Sequence, residues 1–167
     1  AMVASRAGVV LFDVDVGREP FRDYVVVTLE KNPVEGTDIP EALVKLEGFT
    51  RTILDAGKFP LVFGGEHSIT PGAIRPFLEK HPDLIVLHFD AHADLRDGYE
   101  GEHFSHAAAI RRVLDHETLP IISIGIRNIS AGEIPFLEAN SHRITNHRGT
   151  DRHSCNSPLN TPDPADQ

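Results

Sequence analysis

The sequence has almost no cysteine, no excess of positive charge and no long apolar run. Cys155 is the only cysteine among 167 residues, which excludes an internal disulfide framework and any multi-cysteine metal site. The 16 basic and 25 acidic residues give a net charge of −9, which argues against a nucleic-acid-binding surface. No apolar stretch approaches the roughly 20 residues of a transmembrane helix, and the first residues lack the charged segment and apolar core that are typical of a secretory signal. We therefore expect a cytoplasmic domain with neither nucleic acid nor membrane as a partner.

Strand-like runs alternate with helix-like patterns along most of the chain. Apolar and β-branched runs predict strands at residues 9–14, 24–29, 60–63, 84–89 and 119–124. Helical spacing predicts helices that begin at Asp38, Thr70 and His106. The two later runs are almost continuously apolar, which is typical of strands buried on both faces of a parallel sheet. The alternation predicts an α/β fold, a three-layer α/β/α sandwich with a mostly parallel sheet.

The apolar pattern weakens near residue 140. Beyond that point the chain is rich in Asn, Ser, Thr and Pro and shows no sustained apolar period. Such a composition is typical of chain that does not pack into a core. We therefore predict a domain over residues 1–140 and an irregular, disordered tail over residues 141–167.

A cluster of acidic and imidazole side chains follows directly after the predicted strand at 84–89. Alternate side chains of an extended chain point to one side, so Asp90, His92 and Asp94 are expected to converge. They would do so at the carboxyl end of a strand, where ligands bind in open α/β sheets. Mixed carboxylate and imidazole ligands suit ions such as Mn²⁺ or Zn²⁺.

A second polar motif follows the predicted strand at 60–63. Gly64 and Gly65 permit close approach of the backbone, and His67 would be a fourth ligand if the two strands are neighbours. Glu66 and Ser68 flank His67 and either orient it or cap the following helix. By contrast, we interpret His88 as a hydrogen-bonded core histidine rather than as a ligand.

Two motifs, Gly-Gly-Glu-His-Ser-Ile-Thr at 64–70 and Asp-Ala-His-Ala-Asp-Leu-Arg at 90–96, resemble those of the ureohydrolase family. This family includes the arginases and the agmatinases, and the agmatinase branch is the most similar. The match continues through Tyr99-Glu100-Gly101, Ser105-His106-Ala107 and Gly125-Ile126-Arg127. It covers roughly residues 38 to 140, and the combination of motifs is far more specific than any one of them.

The resemblance implies an arginase-like sandwich with two Mn²⁺ ions that hydrolyses a guanidino substrate to urea. Agmatine, which would yield putrescine and urea, is the first candidate substrate. Carried over by motif, His67 and Asp94 would bind one ion, His92 would bind the other, and Asp90 would bridge both. His106 would be the catalytic proton shuttle to the leaving amine, a role that suits an imidazole near neutral pH.

The chain departs from the family after residue 140. The family's later Ser-x-Asp-x-Asp-x-x-Asp-Pro motif, which supplies further metal ligands, has no match here. Residues 1–140 are therefore predicted to be a partial ureohydrolase domain that lacks terminal strands, with one weakly bound ion or none and impaired activity. Missing strands would expose sheet edges, which favours a homo-oligomer or aggregation. Two alternatives stay open: a related guanidino or formimino hydrolase, and a non-catalytic metal-binding or assembly fragment.

Overall fold

A computed structural model describes residues 36–148 together with positions 14–15, 17–19, 27 and 34. The chain divides into two units, Ala1–Gly36 and Thr37–Gln167, and all the helices and strands given below lie in the second. The strands predicted at 9–14 and 24–29 lie outside the described residues, apart from Val14 and Val27.

Helices alternate with parallel strands in the part of the chain that the structure describes. In chain order the elements are α1 (Ile39–Asp55), α2 (Thr70–Lys80), β1 (Val86–Phe89), α3 (Ala109–Val113), β2 (Ile121–Ile126), α4 (Ile134–Ala139) and β3 (Ile144–Arg148). Short 3₁₀ turns lead into three of the helices, at His67–Ile69, His106–Ala108 and Ala131–Glu133. The strands form one sheet in the order β1-β2-β3, and both pairings are parallel. The predicted α/β class with a parallel sheet is confirmed.

Helix α1 begins directly after Asp38, as predicted, and it ends just before Gly57. The Asp38 side chain accepts the Glu41 N–H at 2.8 Å, which satisfies one of the orphan donors at the helix start. Gly57 follows the helix with φ +68°, and the N–H groups of Gly57 and Lys58 donate to Leu54 and Ile53. This pattern is a Schellman motif, which requires the left-handed conformation that glycine adopts easily. No helix among the described residues is both long and apolar enough to cross a bilayer.

The core lies between the helices and one face of the sheet. Leu78 of α2 and Leu114 of α3 belong to the same buried cluster as Ile121 and Ile126 of β2. Helix α1 packs on α2 at Gly72, where an added Cβ would lie 2.6 Å from the Leu43 carbonyl oxygen. The close approach of these two helices therefore depends on glycine.

Two sequence expectations are corrected by the structure. Residues 60–63 form no strand among the described residues, and Leu61 and Phe63 are exposed. Apolar and β-branched composition makes a strand only where a neighbouring edge pairs with it. Conversely, β3 (Ile144–Arg148) is a strand inside the segment predicted to be irregular, because β2 pairs with its backbone and Ile144 is buried. The domain boundary at 140 stays a prediction.

Candidate metal centre

Asp90 is the first residue beyond the end of β1, at the carboxyl edge of the sheet. Its N–H donates to the Ile124 carbonyl of β2 at 3.2 Å. Just beyond that bond, β2 bulges between Ile124 and Ile126, and Gly125 has φ +92°. A Cβ on Gly125 would lie 3.1 Å from the Asp90 carbonyl oxygen. Glycine therefore permits both the backbone conformation and the close approach that hold Asp90 at this edge.

Two imidazoles and a second carboxylate surround one oxygen of Asp90. Oδ2 of Asp90 lies 3.8 Å from His67 Nδ1 and 3.5 Å from His88 Nε2. His67 Nδ1 also lies 2.7 Å from Asp94 Oδ2. One potential ligand atom from each of these four side chains falls within 4.8 Å of all the others. The cluster can therefore hold a metal ion, and its imidazole and carboxylate donors suit a divalent transition metal.

The other oxygen of Asp90 faces a different imidazole. Oδ1 accepts the backbone N–H of His92 at 2.9 Å and lies 3.5 Å from His92 Nδ1. The His92 side chain is 60% exposed, and it lies outside the cluster around Oδ2. The structure thus brings together three of the four ligands predicted from sequence, His67, Asp90 and Asp94, and puts His92 on the opposite side of Asp90.

The extended arrangement predicted for residues 90–94 is wrong. Asp94 has φ +52°, a left-handed conformation that a short polar side chain tolerates better than most. Ala93 and Leu95 on either side of it are buried in the core. The bend at Ala91 and the left-handed backbone at Asp94 interrupt strand alternation, so Asp94 reaches His67 from a loop. His92 forms an isolated parallel bridge with Asn128, and its side chain is exposed.

Buried Glu133 fixes this loop from beneath. Its Oε1 accepts the Leu95 N–H at 2.8 Å, and its Oε2 accepts both the N–H and the hydroxyl of Ser130. The Asp94 carbonyl accepts the Arg111 N–H at 2.9 Å, which ties the loop to α3. Our sequence reasoning missed Glu133, although Ser130 and Glu133 have the spacing of a capping box, a signal of helix starts.

The pKa values of the two clustered histidines shift in opposite directions. The hydrogen bond from His67 to Asp94 raises the pKa of His67 above the usual imidazole range, against the effect of burial. Desolvation by burial lowers the pKa of His88. Burial opposes ionisation of Asp90, but the His92 N–H, the nearby imidazole of His88 and the Ala91 N–H together outweigh it and leave the pKa of Asp90 below its usual range. The cluster therefore favours an ionised carboxylate at its centre.

His106, the predicted catalytic residue, lines a cavity of about 250 Å³ next to the cluster. Its ring lies 6.0 Å from that of Tyr99, and the Arg96 guanidinium stacks 4.9 Å from the Tyr99 centroid. His92 and Asp94 line the same cavity. A small molecule here would contact His106 and both sides of the Asp90 centre at once.

The interpretation of His88 as a core histidine rather than a ligand stays a prediction. His88 is buried and hydrogen-bonded, as expected of a core histidine, but it also belongs to the cluster. The pleat of β1 is regular enough to aim it toward the side of Asp90. The signal was present in the sequence, because residues two apart on a strand share a face.

The sequence profile of the arginase family matches residues 3–161. This chain belongs to the arginase family. The predicted resemblance is confirmed, and with it membership of a family of ureohydrolase enzymes. The matched range runs past the boundary predicted at residue 140.

Arginase-family relatives include two agmatinases from bacteria. The agmatinase of Bacillus anthracis is 40% identical over 111 residues, which cover 62% of this chain and 38% of that protein. The agmatinase of Bacillus subtilis (strain 168) is 34% identical over 145 residues, which cover 80% of this chain and 49% of that protein. The chain therefore spans at most about half the length of these relatives.

The same proportion holds for a solved structure. The crystal structure of a putative agmatinase from Clostridium difficile matches with a TM-score of 0.74 at 28% identity. The match covers 85% of this chain and 51% of that chain. The arginase-like fold class predicted from the sequence is confirmed.

Proposed function

We propose that this chain carries one half of the binuclear centre of a manganese-dependent ureohydrolase of agmatinase type. The observation that carries the proposal is the position of Asp90, whose two oxygens face separate imidazoles. His67 and Asp94 would hold one Mn²⁺ with Oδ2 of Asp90. His92 would hold a second, with fewer ligands, at Oδ1. Asp90 would bridge the two sites.

Carboxylate and imidazole donors suit Mn²⁺, and the cavity beside them, lined by His106, can hold a small guanidino substrate. When bound, Mn²⁺ would supply Lewis acidity and make a water molecule more acidic. Ionised Asp90 and Asp94 would offset the charge of the ions. His106 would pass a proton to the amine that leaves the guanidino carbon, since an imidazole can donate and accept protons near neutral pH. Agmatine would give putrescine and urea.

Similarity to two agmatinases supports agmatine among the small guanidino substrates that such a site could hydrolyse. A second candidate is a non-catalytic, metal-binding or assembly role for the same fold. The exposed apolar side chains of Leu87 and Phe89 favour it, since they lie on β1 beside the metal ligands. Under either candidate, association into a homo-oligomer is a proposal that the size of the purified protein tests.

Calorimetric titration with Mn²⁺ tests the metal centre. Asp90→Ala removes the bridging carboxylate, so we expect the affinity to fall by more than about 100-fold, beyond the loss from an outer-shell partner. Asp55→Ala, an exposed carboxylate at the end of α1, is the matched control and should bind like the wild type. A wild-type chain that binds no divalent ion would overturn the proposal.

Urea release tests the reaction. We expect hydrolysis of agmatine at a low rate, and His106→Ala should reduce that rate by about 10²- to 10⁴-fold without changing the number of ions bound. A lost ion in His106→Ala would place His106 among the ligands instead. Release from other guanidino or formimino compounds, but not from agmatine, would change the substrate. Bound ions without any turnover would favour the second candidate.

A further inference from the structure

His88 lies between a serine of the neighbouring strand and the central carboxylate. Its Nδ1 is 3.1 Å from Ser123 Oγ, and both side chains are buried. Its Nε2 is 3.5 Å from Asp90 Oδ2. That nitrogen is buried and makes no hydrogen bond of good geometry in the described structure. The ring also stacks on His67, with centroids 5.8 Å apart.

This placement follows from the pairing of β1 with β2. His88 and Ser123 are register partners across the parallel ladder, so their side chains emerge side by side on the same face of the sheet. Asp90 lies two residues beyond His88 and returns to that face. The backbone therefore fixes the order Ser123, His88, Asp90 before any ion binds.

We propose that His88 is a positioning residue that donates its Nε2–H to the carboxylate oxygen Asp90 Oδ2, while its Nδ1 accepts the hydroxyl proton of Ser123. The proposal rests on the metal centre proposed above. Metal-binding groups commonly need such outer partners to fix their orientation. With one lone pair of Oδ2 held by His88, the carboxylate plane is set for its bridging position between the two imidazoles of His67 and His92.

The buried surroundings favour this tautomer over one that would make His88 a ligand. In the other tautomer the Nε2 lone pair would face the Asp90 oxygen, a second acceptor, at 3.5 Å. A proton on Nε2 turns that repulsion into a charge-assisted hydrogen bond. Ser123 is compatible with this tautomer, because its hydroxyl can donate to an unprotonated Nδ1.

Substituting His88 by glutamine or by asparagine tests its two ring nitrogens separately. Glutamine reaches the Nε2 position and can donate to Asp90, whereas asparagine reaches only the Nδ1 position and retains only the contact with Ser123. We expect His88→Asn to weaken Mn²⁺ binding by about 10- to 100-fold, while His88→Gln stays within about threefold of the wild type. Ser123→Ala should fall between them, and exposed Ser141→Ala is the control. Thermal unfolding without metal checks that each variant is folded.

Equal losses in His88→Asn and His88→Gln would overturn the proposal, because a ligand or a packing role would not distinguish them. Unchanged affinity in both would overturn it as well. The Co²⁺ absorption spectrum of His88→Gln should keep the wild-type band pattern, since no ligand is lost. A changed pattern would make His88 a ligand.

A measurement on the metal-free chain tests the inference independently of the proposed function. Nitrogen-15 shifts of the His88 ring should show a protonated Nε2 and an unprotonated Nδ1, with the preference reduced in Ser123→Ala. A protonated Nδ1 with a bare Nε2 would overturn the inference, even if every variant above failed to fold. If the wild type binds no ion, the proposed function fails, and this readout still decides the His88 to Asp90 bond.

Discussion

Two segments bring side chains to the candidate metal centre, and they differ in how they are held. The segment at 59–67 delivers His67, and its side chains at Leu61 and Phe63 are 63% and 87% exposed. The segment at 84–95 brings Asp90 from the end of a paired strand and Asp94 from the loop that follows, with Ala93 and Leu95 both 2% exposed. The two segments meet in the hydrogen bond between His67 and Asp94.

The difference shows that an apolar run does not place a ligand unless something covers it. Both segments carry strand-like sequence before their polar motif. Among the described residues a neighbouring strand pairs only with the later one, which also packs into the core, so burial and backbone hydrogen bonds act together there. His67 is instead oriented by its carboxylate partner and by the 3₁₀ turn that begins at its own position.

We expect the largest difference in stability when a leucine of the core around the second segment and a leucine of the first segment are each shortened to alanine. Leu114→Ala removes a 2% exposed side chain from the core that also holds Leu95, so we expect a loss of about 3 kcal/mol in the free energy of unfolding. Leu61→Ala is the same chemical change at an exposed position and should cost less than about 0.5 kcal/mol. Urea denaturation of the two variants measures both. Similar losses would mean that the first segment is packed after all.

Glu133→Gln tests the support beneath the second segment alone. The glutamine side chain would retain the size of glutamate, but its NH₂ group would face the backbone N–H of Leu95 or of Ser130, which are themselves donors. We expect a loss of about 1 to 3 kcal/mol, the cost of a buried unsatisfied group. Weaker Mn²⁺ binding should follow as the Asp94 loop loosens. Exposed Glu138→Gln is the control, and equal stability of the two variants would show that the loop does not depend on Glu133.

The pH dependence of the metal-free chain tests the link between the segments. The His67 pKa is raised above 6.5, first by its bond to Asp94. A raised imidazole pKa adds stability that is fully present below the unfolded value and is lost as pH rises through the folded value. We expect a decline of about 1 kcal/mol or less for this partly exposed pair. Denaturation above and below pH 6.5 should show it in the wild type and not in His67→Gln.

The sequence predicted the start of α1 at Asp38 and the parallel class of the sheet, because these depend on local chemistry and on continuous apolar runs. It also predicted His67, Asp90 and Asp94 as neighbours, through the resemblance of two short motifs. It predicted that Asp90, His92 and Asp94 converge on one side, whereas the left-handed backbone at Asp94 ends the alternation and His92 lies outside the cluster. It missed Glu133, because the carboxylate of Glu133 accepts the backbone N–H of Leu95, a residue 38 positions away in the sequence.

The sequence by itself determined the donor chemistry of this protein: which carboxylates and imidazoles exist, and on which side of a strand each must emerge. Tertiary structure alone decided which oxygen of Asp90 meets which imidazole. That outcome depends on the bulge at Gly125, on the turn at Asp94 and on the pairing of His88 with Ser123. Each of these joins residues distant in sequence or depends on burial, and no local pattern encodes such long-range contacts.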